Sequence, residues 1–181
     1  CFISSPGDCN EERDNCIKVI EEISLGFAKH FGIGLETFMW EYDVLPDMGR
    51  NGQDIIDEYI KKSNYDVFIG IMKNRFGHPT KKAGSGTEHE FKDALERKKT
   101  DPNGLPRIIF FFGKENVDPD KFDFDQYQKV KTFKSGISST QGLQPINQKF
   151  STITFPFKLS KVKLFPLLSL KFNSFKTVPS C

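Results

Sequence analysis

The runs Val67-Phe68-Ile69-Gly70-Ile71-Met72 and Ile108-Ile109-Phe110-Phe111-Phe112 are apolar almost without interruption. A strand with one face in water alternates apolar and polar side chains. A run that does not alternate has to be covered on both faces, which is the situation of a strand inside a parallel sheet. Parallel neighbours cannot be joined by a tight turn and need a crossover, usually a helix. Between the two runs, Phe91, Ala94 and Leu95 have the i, i+3, i+4 spacing of one helix face. Strand, helix and strand in that order, with both strands buried, restrict this part of the chain to the α/β class.

The alternation extends in both directions. Phe2-Ile3-Ser4 reads as a short strand, Pro6-Gly7 breaks it, and Asp8 with Glu11 has the spacing of a capping box. Cys16, Ile20, Ile23, Phe27 and Phe31 form one apolar stripe, with Glu11, Glu12, Lys18, Glu22 and Lys29 elsewhere on the helix surface, and Gly32 and Gly34 end it. Residues 35–40 predict a second strand, residues 41–52 a loop carrying Pro and Gly, Ile55, Ile56, Tyr59 and Ile60 a second helix, and residues 123–133 a further one. The predicted fold is α/β, a three-layer flavodoxin-like parallel sheet with right-handed crossovers. It is expected to lack its normal last strand and helix, because nothing after Phe133 makes a convincing fifth strand.

Charge divides the chain. Through residue 125 there are 17 Lys plus Arg against 24 Asp plus Glu, and from residue 126 onward nine Lys and no acid, so a body of charge −7 joins a tail of charge +9. Residues 1–142 are predicted to be the α/β domain, truncated at its start because Cys1 leads directly into a strand. Residues 143–181, rich in Lys, Phe and Ser and interrupted by Pro145, Pro156, Pro166 and Pro179, are expected to be a poorly ordered tail. The abrupt change near Leu143 is what a frameshift or read-through would produce. An acidic body argues against nucleic acid as a partner, since phosphate neutralisation needs clustered Lys and Arg. No run approaches the roughly 20 apolar residues of a membrane span, which argues against a membrane partner. Cys1, Cys9, Cys16 and Cys181 form no CxxC pair and no zinc-ligand spacing, so free thiols, no metal site, no resident cofactor and a cytoplasmic location are expected.

Open parallel sheets bind ligands beyond the carboxyl ends of their strands, at the point where the strand order reverses. With the first and third strands adjacent, Ser4 and Ser5 leave the first, Lys73, Asn74 and Arg75 leave the third, Trp40 leaves the second, and Thr87 and Glu90 open the helix that follows the third. Hydroxyls, an aromatic face, a guanidinium and a carboxylate suit a sugar-phosphate ligand. Each residue has a plainer role open to it. Thr87 and Glu90 match the capping box S/T-x-x-E, Ser4 and Ser5 can simply end a strand, Arg75 can pair with an acidic neighbour, and Trp40 can be core. His78 and His89, the latter placed on an exposed face, receive no catalytic role. Gly84-x-Gly86 before a helix lacks the Lys-Ser/Thr of a phosphate loop.

Three motifs in order, Phe2-Ile3-Ser4-Ser5-Pro6-Gly7-Asp8-x-x-Glu11-Glu12-Arg13, Asp66 to Met72 followed by x-x-Arg75-Phe76-Gly77-x-Pro79-Thr80, and Ala83-Gly84-Ser85-Gly86-Thr87-Glu88-x-Glu90-Phe91, resemble the TIR-like domain of unknown function that often begins STAND-type NTPase and repeat proteins. The resemblance implies an N-terminal signalling or effector module, often in defence-type proteins, that associates with like domains and is followed by NTPase or repeat domains. The helix start at Glu90 is also similar to that of NAD-cleaving TIR domains and of nucleoside 2-deoxyribosyltransferases, which implies a catalytic carboxylate at Glu90 and NAD or a related nucleotide as substrate. Two function classes result: a nucleotide N-glycosidase, or a module of protein–protein interaction and self-association without chemistry, with Leu45 and Met48 in the loop of residues 42–52 as its contact.

Overall fold

The structure is a computed structural model and describes residues 1–39, 55, 58–60, 63–81, 83–113, 122–140 and 146–148. Strand β1 (Phe2–Ser4) is followed by helix α1 (Asn10–Ile23), strand β2 (Val67–Met72), helix α2 (Gly86–Thr100), strand β3 (Arg107–Gly113), helix α3 (Phe124–Thr140) and strand β4 (Ile146–Gln148). The strands form one parallel sheet in the order β1-β2-β3-β4, with Ser4 opposite Gly70 and Gly70 opposite Phe110. On the remaining edge of β1, Phe38 makes a single parallel bridge to Phe2. The predicted second strand is thus reduced to one bridged residue, but it lies where a flavodoxin-like order requires it, and the first and third strands are neighbours as expected.

Side-chain parity sorts the sheet into two covered faces. Phe2, Phe68, Met72, Phe110 and Phe112 pack with Phe91 and Ala94 of α2 and with Val130 and Ile137 of α3. Ile3, Ile69, Ile71 and Phe111 pack with Cys16 and Ile20 of α1. Helix, sheet and helix make the three layers, and the unbroken apolar runs are those with a helix on either side. Among the described residues no helix is long and apolar enough to cross a membrane.

Three expectations are corrected. The sheet does have a last strand, because Ile146–Gln148 pairs with Phe111–Gly113 inside the stretch expected to be a poorly ordered tail. Three residues are too few to carry a visible alternation, so nothing in the sequence announced it. The rest of that tail, like Trp40, Leu45 and Met48, lies outside the described residues. Along α1 the apolar stripe holds at Cys16 and Ile20 but leaves Phe31 half exposed. A π-helical turn, Ser24–Ala28, interrupts the register, and Phe31 lies in the turn after the helix. The Asp8–Glu11 capping box does not form either. The N-cap is Cys9, without a side-chain cap bond, while Asp8 accepts hydrogen bonds from Cys9 Sγ at 3.7 Å and from the Arg75 N–H at 3.2 Å.

Gly70 is required by close approach. A Cβ there would lie 2.3 Å from Cε2 of Phe110, whose ring folds across the neighbouring strand. Gly70→Ala should therefore cost about 1–3 kcal/mol through overpacking, read as a lower urea midpoint at unchanged slope, with recovery when Phe110→Leu is added. An unchanged midpoint in the single variant would mean that the ring swings aside freely.

Candidate functional site

Helix α2 begins with a cap that differs in register from the predicted one. Ser85, in extended backbone, is the N-cap and its hydroxyl accepts from the Glu88 N–H at 3.1 Å. Glu88 reaches back to accept from the Gly84 N–H at 2.7 Å and pairs with Lys92 at 2.8 Å. The capping box is Ser85 with Glu88, two residues earlier than Thr87 with Glu90, and it satisfies the orphan donors of the first turn. Glu90 is left in the second turn with no capping duty. It points at the sheet, where the Ser4 hydroxyl at the carboxyl end of β1 donates to Glu90 Oε2.

Both partners are enclosed, Ser4 being 1% and Glu90 4% exposed. A carboxylate this deep is costly unless it is hydrogen-bonded. Burial pushes the hydroxyl of nearby Tyr65 up to about 12, against the opposing pull of Arg97, and the Asp93 and Glu90 carboxylates add to the rise. His89, expected on an exposed face, is buried and lies 3.5 Å from Asp93 across one helical turn. Thr87 is buried as well.

The other predicted residues divide. Asn74 is half-buried and Arg75 exposed in the turn that leaves β2. That turn is held from two sides: Asp8 takes the Arg75 N–H, and Gln126 of α3 accepts from the N–H groups of Phe76 and Gly77 at 2.9 and 3.0 Å. Ser5 is buried one residue beyond the end of β1. The structure brings Ser4 and Glu90 into contact and sets Ser5, Asn74 and Arg75 around the same strand ends.

Two residues missed by sequence reasoning, Glu12 and Arg13, lie on the α1 side, where Glu12 meets Lys73, a residue expected at the end of the third strand. Glu12 and Arg13 are buried, and Lys73 Nζ, the first side chain beyond β2, makes an ion pair of 2.9 Å with Glu12 Oε1. Arg13 also donates to Asn10 Oδ1 at 2.9 Å. A usable signal was present, since Glu12 precedes Cys16 and Ile20 by four and eight residues and so belongs to their stripe, and Lys73 continues the parity of Ile69 and Ile71. Glu12, Arg13 and Lys73 make a buried polar layer where α1 meets the end of β2, and Ser85, Thr87 and His89 are buried at the start of α2. Cys1, Cys9 and Cys16 are free thiols, and burial pushes the Cys16 thiol up to about 12. Among the described residues no group of three or more His, Cys, Asp and Glu is arranged to hold a metal ion. A cleft of about 640 Å³, lined by Leu35, Phe38, Tyr59, Tyr65 and Val67 among others, opens at the amino ends of β1 and β2, the far end of the sheet from Glu90.

The family model described as "Domain of unknown function (DUF4062)" matches residues 1–154, and the chain belongs to this family. No curated protein and no solved structure matches it.

Proposed function

We propose that this member of the family is a nucleotide N-glycosidase, acting on NAD or a related nucleotide as the effector end of a larger, TIR-like signalling protein of the STAND-associated kind. One observation carries the reading: Ser85 and Glu88 cap α2, so the buried Glu90 carboxylate has no capping role and is held instead by Ser4 at the switch point of the sheet. A carboxylate beside a sugar favours an oxocarbenium-like transition state at C1′. With a nicotinamide nucleotide the bond from C1′ to the ring nitrogen breaks, its electron pair leaves with the base, water adds at C1′, and Glu90 accepts the proton that the water releases. Ser4 fixes the carboxylate rotamer, and the exposed Arg75 guanidinium at the rim is available to a phosphate.

The enclosure of Glu90 favours a second reading, in which its bond to Ser4 simply ties α2 to β1 and the domain works by associating with like domains. Chromatographic assay of free base, with the full chain clustered on beads and offered a panel of nicotinamide, adenine and deoxyribose nucleotides, separates the two. Base release is expected; no release from any nucleotide by correctly folded, clustered protein leaves the self-association reading.

A further inference from the structure

The cleft at the amino ends of β1 and β2 has no part in the nucleotide reading. Its volume, about 640 Å³, is that of a small-molecule pocket. Two kinds of group line it. Phe38 and Tyr59 are stacked, with ring centroids 5.2 Å apart and planes inclined by 16°, so each covers one face of the other. Tyr59 is still 41% exposed, which leaves aromatic surface open to the cleft. Glu36 and Asp66, both exposed, supply charge, and no Lys or Arg side chain lines the cleft among the described residues. The two carboxylates act on one point of the wall. There the Cys1 ammonium donates to the Glu36 carbonyl at 2.7 Å; burial lowers its pKa, while the Asp66 and Glu36 carboxylates pull the other way. Two negative groups thus stand against one positive group.

The fold itself shows what such a wall holds. Arg97 of α2 places its guanidinium 4.6 Å from the centre of the Tyr65 ring and donates to the Ser63 carbonyl and to Asn64 Oδ1 at 2.9 and 2.8 Å. Ser63, Asn64 and Tyr65 all line the cleft, so an aromatic face edged by oxygen acceptors already serves a guanidinium on one side of this wall. Tyr59, Glu36 and Asp66 offer the same components with no side-chain cation of their own among the described residues. A phosphate or carboxylate ligand would be repelled by both acids, and a strongly hydrated metal ion gains little from an aromatic face. A planar, weakly hydrated cation gains from both kinds of group. We propose that this cleft binds a guanidinium ligand, whose N–H groups donate to Glu36 and Asp66 and whose plane lies against the Tyr59 ring. The proposal is independent of the chemistry assigned to Glu90.

Calorimetric titration of the full chain with Nα-acetylarginine amide, its neutral isostere Nα-acetylcitrulline amide, and butylguanidine tests it. The arginine probe should bind about tenfold or more tightly than the citrulline probe, which differs from it in charge and hardly in shape. The double variant Glu36→Gln with Asp66→Asn should bring the two probes within about twofold of each other. Both residues are exposed, so its melting temperature should stay close to the parent's. Tyr59→Leu, which keeps an apolar side chain but removes the ring, should weaken arginine binding about threefold or more. Butylguanidine binding as tightly as the arginine probe would identify a free small guanidine as the ligand, and clearly weaker binding would identify arginine within a peptide; either supports the site. Equal binding of the arginine and citrulline probes would overturn it, as would no binding of the arginine probe or of butylguanidine. So would a folded double variant that keeps the parent's preference, because the cation would then be held elsewhere on the acidic body.

Discussion

Glu90→Gln should reduce base release by about 10²–10⁴-fold, the usual scale for loss of a positioned proton-transfer group, while the fold barely notices. Gln keeps the volume and can still accept from the Ser4 hydroxyl, so the change exchanges a charge-assisted hydrogen bond for a neutral one at a cost of about 1 kcal/mol. For a domain of this size that is a melting shift of about 2–4 °C. Ser85→Ala is the matched control. It removes the observed N-cap, costs a similar amount, about 1 kcal/mol, and should leave turnover intact below the transition. The pair distinguishes chemistry from helix capping, because the two variants lose comparable stability and only one loses activity. Turnover that persists in Glu90→Gln would remove Glu90 from the mechanism.

Lys73→Met should produce the largest loss of stability, about 3–5 kcal/mol, since it strands the buried Glu12 carboxylate without its counter-charge. The expected drop in melting temperature is on the order of 10 °C. Adding Glu12→Leu should restore most or all of it, because replacing a buried ion pair by apolar groups of similar volume is often neutral or stabilising. A denaturant-based double-mutant cycle measures the coupling. Should Lys73→Met cost under about 1 kcal/mol, water reaches the pair, and the polar layer over α1 is looser than the structure describes.

The α/β class was legible in residues 67–72 and 108–112, because lack of alternation is a local property with a single tertiary meaning. The position of Glu90 was legible for a related reason: a helix following a buried strand starts at the carboxyl end of the sheet, wherever its cap falls. The capping assignment was not. Thr87 with Glu90 and Ser85 with Glu88 satisfy the same four-residue spacing, and the choice between them is made by where the loop from β2 delivers Gly84 and Ser85.

Glu12 shows the same limit from the other side. Its position in the stripe of Cys16 and Ile20 was visible, but a charged residue there reads as surface until Lys73, far away in sequence, arrives to neutralise it. His89 was misplaced for want of the packing around α2. The last strand, Ile146–Gln148, depends on pairing with β3 and has no intrinsic pattern of its own. Hydrophobic periodicity, a property of neighbours along the chain, determined the layers and the end of the sheet at which the polar residues collect. Which carboxylate caps a helix, which meets a lysine and which turns toward Ser4 was decided only by tertiary contact, because a buried charge is tolerable only beside a partner that chain folding brings to it.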